Sequence, residues 1–319
     1  MNTRFARIGA AFAALALAGT VAACGKENTS AAAPSEDGIT HLTLSIPPVG
    51  DSLPVYVAQK KGYFADNGLE VELAPAANGA TTINALISGS TDLALVSYPS
   101  MIKAVDSNLP VTIAATAIDG TNEYKSGIYV PSGSPVTTAA DLLGKKVATP
   151  SLGSVGDIFL RGVLADQGQD YTKVHFVELP QANMAVALKA GDVDAAFITE
   201  PTLSTATKTL DLRAINYQNG PQGLFATSTQ TIEGNPDAIR GFRAALARAI
   251  EDIEADPHAV AAETMPQFSD MDADTARNMS LPLFVTEFDT DDVQSVVDLM
   301  AEVGIIKNSF SADEMYDQL

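Results

Sequence analysis

The sequence predicts an α/β chain folded as two lobes, each built on a mixed or parallel sheet, with two hinge crossings between them. Three observations predict it. Short β-branched runs alternate with helical patterns from His41 to Ile198, which is the signature of βαβ units. The order then repeats. Ala85–Pro99 (ALISGSTDLALVSYP) matches Ala187–Pro201 (ALKAGDVDAAFITEP), with Ala, Leu, Gly, Asp, Ala and Pro recurring at one constant offset. Upstream, Pro47–Ser52 (PPVGDS) faces Pro150–Val155 (PSLGSV) at nearly the same offset. Finally, after Gly220 one strand is followed by long helical stretches. A helical tail behind the second lobe has to pack back onto the first, so the chain crosses twice, near Asp119–Lys125 and Tyr217–Pro221. Chance likeness of two helix–strand units in an Ala-rich chain is the alternative.

Taken in order, Leu42–Ile46 reads as a strand and Leu53–Lys61 as a helix closed by Gly62. Leu69–Leu73 is a strand after an Asn67-Gly68 turn, Ala80–Ser88 a helix and Asp92–Val96 a strand. In the second round Lys146–Thr149, Val174–Leu179 and Asp194–Ile198 are expected strands, with helices over Val155–Asp166 and Asn183–Ala190. Leu224–Thr229 is one more strand. Helical patterns then run over Pro236–Ala255, Pro257–Met265, Met271–Met279 and Asp291–Val303. Asn235-Pro236 and Asp256-Pro257 place a capping side chain before a first-turn proline, and Gly304 fits a helix stop. The expected organisation is a leader over 1–23, an anchor and tether over 24–40, lobe I over 41–119 plus 221–319, and lobe II over 120–220.

The first residues set the compartment. Arg4 and Arg7 precede an apolar run from Ile8 to Ala18 with no acidic residue. That order is a signal peptide's, and the run is too short to span a bilayer. Val21-Ala22-Ala23-Cys24 is similar to a bacterial lipobox. The likeness implies a diacylglyceryl group on Cys24 and cleavage just before it, hence extracytoplasmic anchoring to the cell membrane. An ordinary secretory leader with an incidental cysteine is the alternative. Gly25–Thr40 is small and polar and reads as a flexible tether. Cys24 is the only cysteine, so the folded part is expected to hold no disulfide, cysteine nucleophile or cysteine metal site. Loss of residues 1–23 removes two basic residues and no acidic one, moving the net charge from −20 to −22. Such a surface repels nucleic acid and anionic lipid, so neither is an expected partner.

The stretch PPVGDSLPVYVAQKKGYFADNGLEVEL (Pro47–Leu73) resembles the opening of periplasmic binding proteins for nitrate, sulfonates, taurine and thiamine-precursor pyrimidines. Asp141–Thr149 (DLLGKKVAT) is similar to their second-lobe entry, and A-L-x-x-G-x-x-D-x-A occurs in both lobes. The likeness covers His41 to the end and is densest from Leu42 to Pro201. It implies a type 2 periplasmic-binding-protein fold and a monomeric solute-binding lipoprotein of an ABC importer. Its partners would be a small polar organic molecule and the permease subunits. A sulfonate or taurine-like or amino-bearing anion is the first expectation, and a thiamine-precursor pyrimidine the alternative.

In open α/β sheets, ligands sit beyond the carboxyl ends of strands, at helix N-termini. In the first lobe that rule selects Pro48, Gly50, Asp51, Ser52, Asn78, Ser97 and Tyr98. In the second it selects Ser151, Gly153, Ser154, Val155, Thr199 and Glu200, while Asp119 stands at the first crossing. The repeat pairs Tyr98 with Glu200, so each is expected to face the cleft from its own lobe. Ser151–Val155 reads as an anion cradle or as a plain capped turn. No lysine or arginine adjoins it in sequence, and Arg161 is about two turns down the helix. Asp51, Asp119 and Glu200 would suit a ligand amine or ring N–H. Asp51 can equally be a cap, Glu200 a solvated residue, and Asp119 a mark of the crossing.

No catalytic residue, metal or cofactor is expected. His41, His175 and His258 are scattered and form no H-x-x-x-H or H-E-x-x-H pair. No G-x-S-x-G or P-loop occurs. A yeast-type relative of the resembled family makes thiamine pyrimidine and depends on a cysteine-rich stretch, which this sequence lacks. A sensing domain would be joined to a membrane helix and a signalling domain, and neither pattern is present.

Overall fold

The first sheet runs in the order β11-β4-β10-β3-β1-β2. Its strands are β1 (Thr40–Ile46), β2 (Leu69–Pro75), β3 (Leu93–Ser97), β4 (Val111–Gly120), β10 (Gly220–Ser228) and β11 (Leu283–Phe284). The second runs β7-β6-β8-β5-β9. It uses β5 (Gly127–Pro131), β6 (Lys146–Thr149), β7 (His175–Glu178), β8 (Ala195–Ile198) and β9 (Leu212–Tyr217). The computed structural model describes residues 38–76, 79–120 and 124–316. The leader, Cys24, most of the tether and Asn78 lie outside them.

Each sheet mixes parallel and antiparallel pairs. β1 is parallel to β2 and β3, while β10 is antiparallel to β3 and β4. β6 is parallel to β7 and β8, while β5 is antiparallel to β8 and β9. Helices cover both faces, so the inner strand β3 is apolar on both sides, with Leu93 and Leu95 buried on one and Ala94 and Val96 on the other. One face of the first sheet packs α1 (Leu53–Lys61), α2 (Tyr63–Asp66), α9 (Pro236–Ala255) and α10 (Pro257–Thr264). The other packs α3 (Gly79–Ile87), α4 (Tyr98–Asp106) and α12 (Thr290–Glu302). In α9, Asn235 caps by accepting the Ala238 N–H at 3.1 Å. Ile239, Phe242, Leu246, Ile250 and Ile253 recur at helical spacing on its buried face. The second sheet carries α5 (Val155–Asp166), α6 (Gln181–Ala190) and α7 (Thr202–Ala206).

The sequence repeat is a repeat of structure. Asp92 Oδ2 accepts the Thr43 N–H at 2.8 Å, and Asp194 Oδ2 accepts the Lys146 N–H at 2.9 Å. The Asp92 N–H donates to Thr43 O and that of Asp194 to Lys146 O, both at 2.9 Å. Each aspartate therefore ties the start of its strand to the first strand of the same round. Gly89 (φ +69°) and Gly191 (φ +77°) supply the same left-handed turn before it.

The chain passes to the second sheet between Gly120 and Gly127 and returns between Tyr217 and Gly220. A Cβ on Gly120 would lie 2.6 Å from Gln218 O, and one on Gly127 would lie 2.2 Å from Asn216 O. These backbones approach too closely for any side chain. Beyond the expected elements the structure adds β4, β5, β9 and β11, with α2, α4, α7 and α8 (Thr229–Gly234).

Candidate functional site

A cleft of about 680 Å³ opens between the lobes. Five strands end on it: Pro47 follows β1, Ser97 closes β3, Pro150 follows β6, Glu178 closes β7, and Phe197 lies in β8. Four helices begin on it, through Gly79 of α3, Ser100 of α4, Val155 and Gly156 of α5, and Gln181 of α6. Their N-termini turn the positive ends of the helix dipoles toward it.

Four of the expected residues line this cleft: Ser97, Ser151, Ser154 and Val155. Ser97 Oγ accepts the Ser100 N–H at 3.4 Å and lies 3.0 Å from Ser100 Oγ. Ser154 Oγ lies 3.1 Å from Thr149 Oγ1. Gly153 adopts φ +67° at the loop's turn, but its N–H points inward and donates to Asp157 Oδ2 at 2.7 Å. The buried Asp157 carboxylate also accepts from Arg161 Nε. One donor of the supposed anion cradle is therefore already taken.

The cation absent from the local sequence arrives from the other lobe. Lys103 of α4 donates to Leu152 O at 3.4 Å. Burial lowers its ammonium pKa, while Asp157 and Glu178 pull the other way. Sequence proximity could not show this, because 49 residues separate the partners. Sequence reading also missed Gln181, whose Nε2 donates to Phe197 O at 3.2 Å. Its buried Oε1 has no protein partner among the described residues. The strand-end rule would have found Gln181 and Glu178 had it been applied to the end of β7.

The remaining expected residues lie elsewhere. Tyr98 is 3% exposed and packs into the first lobe's core, not the cleft wall. Burial, then Asp119, raises its phenol pKa. Asp119 sits in β4 opposite Pro221 and Leu283; burial raises its carboxyl, and Asp292 and Asp289 add to the rise. Pro48 lines a separate groove with Pro201 and Lys208. Gly50 lies under Met279, and Ser52 Oγ donates to Pro47 O at 2.7 Å. Thr199 O accepts the Leu203 N–H at 3.0 Å. Glu200 is 2% exposed and wholly engaged. It accepts from Ser204 N and Oγ, each at 3.0 Å, and from Ser280 N and Oγ, each at 3.3 Å. Ser280 belongs to the first lobe, and its Oγ also accepts the Lys125 N–H at 3.1 Å. Glu200 is thus a tie between lobes.

Asp51 is half-buried and accepts from the Tyr124 hydroxyl at 2.7 Å. Burial pushes its carboxyl up to about 6 from 3.8, against the Tyr124 hydrogen bond, which lowers it. The folded state therefore binds more protons than the unfolded between those values. Stability from this group is present below about pH 4 and is lost as pH rises through about 6. Asp51→Asn, which keeps an acceptor for Tyr124, is expected to be more stable than the parent at pH 7.5, by up to about 3 kcal/mol. The gain should vanish near pH 4. Urea midpoints at the two pH values check this, and equal gains at both would remove Asp51 as the source.

A match to the NMT1/THI5-like family spans residues 50–260. The yeast 4-amino-5-hydroxymethyl-2-methylpyrimidine phosphate synthase THI13 (Saccharomyces cerevisiae) is 26% identical over 244 residues, 70% of this chain and 69% of its own. The formylaminopyrimidine-binding protein of Halalkalibacterium halodurans is 28% identical over 141 residues, 44% of this chain and 41% of its own. The alkanesulfonate-binding protein SsuA of Xanthomonas axonopodis pv. citri superposes with a TM-score of 0.73 at 19% identity, covering 88% of this chain and 98% of its own. That likeness fixes the two-lobed periplasmic-binding-protein fold. The family match covers well over half the sequence: the chain belongs to the NMT1/THI5-like family.

Proposed function

We propose that the protein is the extracytoplasmic solute-binding component of an ABC importer, closing its lobes on a small polar organic molecule and handing it to the permease subunits. The convergence of five strand ends and four helix N-termini on one interlobe cleft carries this reading. The lobes in this reading are 41–119 with 221–319, and 120–220, hinged at the two crossings. Helix N–H groups and the hydroxyls of Ser97, Ser100, Ser151 and Ser154 suit the oxygens of a sulfonate. Gln181 Oε1 and Glu178 suit an ammonium on the same molecule, so a taurine-like zwitterion is the ligand class.

A pyrimidine is the second reading. Gln181 Oε1 would accept from a ring amino group beside Phe197, and the Halalkalibacterium relative is named for such a ligand. The yeast relative is named a synthase. The SsuA neighbour, by contrast, is named a binding protein, which supports binding without chemistry. Cys24 would carry the lipid that holds the protein at the membrane, and labelled palmitate persisting in Cys24→Ser would refute that.

A thermal-shift screen of taurine, alkanesulfonates, a formylaminopyrimidine and nitrate tests the ligand class. Taurine is expected to raise the melting temperature with the logarithm of its concentration. Gln181→Leu should abolish the shift for amino-bearing ligands. A response to nitrate alone would overturn the zwitterion reading.

A further inference from the structure

Helix α5 of the second lobe carries two apolar faces. Leu160 and Leu164 enter the core of its own lobe. Ile158 does not: it is 3% exposed and packs in the core of the first lobe, in one cluster with Leu299 and Ile305. Gly162 follows Ile158 by four residues and so lies on the same face. A Cβ there would stand 2.7 Å from Leu299 Cδ2 and 3.2 Å from Cδ1. Leu299 belongs to α12 of the first lobe. Glycine inside a helix is unfavourable without a packing reason, and here the reason is a helix of the other lobe. The same seam continues at Gly153, whose Cβ would lie 3.0 Å from Lys103 Nζ and 3.7 Å from Ile305 Cγ2. Neither Gly162 nor Leu299 lines the cleft.

We infer that the α5–α12 contact is a closure interface, and that Gly162 is a positioning residue that fixes how far the lobes close on a ligand it never touches. The inference rests on the hinged-lobe reading above. Shape, not polarity, sets this contact. The atoms nearest a Cβ at 162 all belong to Leu299, and the two helices belong to bodies joined through the crossings. A wedge there therefore acts on the interlobe angle.

Spin labels on Asn84→Cys in α3 and Val186→Cys in α6, both exposed, report the distance across the cleft. The background is the full chain with Cys24→Ser, which leaves no other thiol. Gly162→Leu is expected to shift the main distance outward by several ångströms, on the order of one side-chain layer. Adding Leu299→Ala should restore the parental distance. Leu299→Trp, a wedge from the other lobe, should open the cleft as well and serves if Gly162→Leu does not fold. An unchanged distance in the wedge variants, or no restoration by Leu299→Ala, would overturn the inference. Taurine titrated into the labelled parent keeps the two readings apart. If it moves neither the melting temperature nor the distance, the ligand class fails while the wedge result stands.

Discussion

Glu200→Ala is expected to lower stability by about 3 kcal/mol, because a buried carboxylate holding four donors is removed and those donors are left unpaired. The 2% exposed side chain takes both donors of Ser204 in its own lobe and both of Ser280 in the other. Glu200→Gln keeps a carbonyl acceptor at one position and should lose less. Ligand affinity should fall too, since the tie to Ser280 spans the lobes. Ser280→Ala separates the two ways in which that could happen. If Glu200 acts by joining the lobes, Ser280→Ala reproduces most of the affinity loss with a smaller effect on stability. Calorimetry showing full affinity in Ser280→Ala and none in Glu200→Ala would instead put the carboxylate on the ligand.

Gly156→Ala is the second large effect. The added Cβ would lie 2.4 Å from Phe197 Cγ, 2.6 Å from its Cβ and 2.7 Å from Cδ1. These atoms are the root of the ring, so a rotamer change does not clear them. Either α5 or β8 has to move, and overpacking of this kind costs about 1–3 kcal/mol. Both residues line the cleft, so the strain falls on the cleft wall and the thermal shift given by a ligand should be lost. Gly133→Ala is the matched control, because nothing lies within 4 Å of a Cβ there. An alanine at 156 with parental melting temperature and parental ligand response would show that the wall yields freely.

The parallel strands of the fold were legible in the sequence, but of the antiparallel ones β10 was and β4, β5, β9 and β11 were not. β6, α1, α5 and α9 occupy the ranges their patterns predicted, because each combines an apolar periodicity with a clear boundary such as Gly62 or Asn235-Pro236. β4, β5 and β9 have no hairpin turn to announce them, since their partners are remote strands. Helix α4 follows β3 with no loop between them to mark its start, and the sequence reading passed over it. At the site, the strand-end rule picked Ser97, Ser151, Ser154 and Val155, which line the cleft. It could not foresee that Tyr98 would turn into a core or that Glu200 would meet Ser280. Both outcomes depend on packing between segments far apart in the chain. The repeat fixes backbone position in each round, as Asp92 and Asp194 show, but not the neighbour that each side chain finds.

The order of strands in the first sheet has a consequence for how the molecule comes into being. β10 lies between β3 and β4, yet it is made after all five strands of the second sheet. When the chain emerges, the strands from Gly127 to Tyr217 can complete their sheet from contiguous residues. β3 and β4 must wait with open hydrogen-bonding edges for Gly220–Ser228 to arrive. Closing so long a loop is slow relative to local pairing. The second lobe is thus expected to form first, the first lobe to close around a late central strand, and the cleft to arise only at the end. Pulse-labelled amide exchange should find β5–β9 protected before β3 and β4, and the reverse order would contradict this sequence of events.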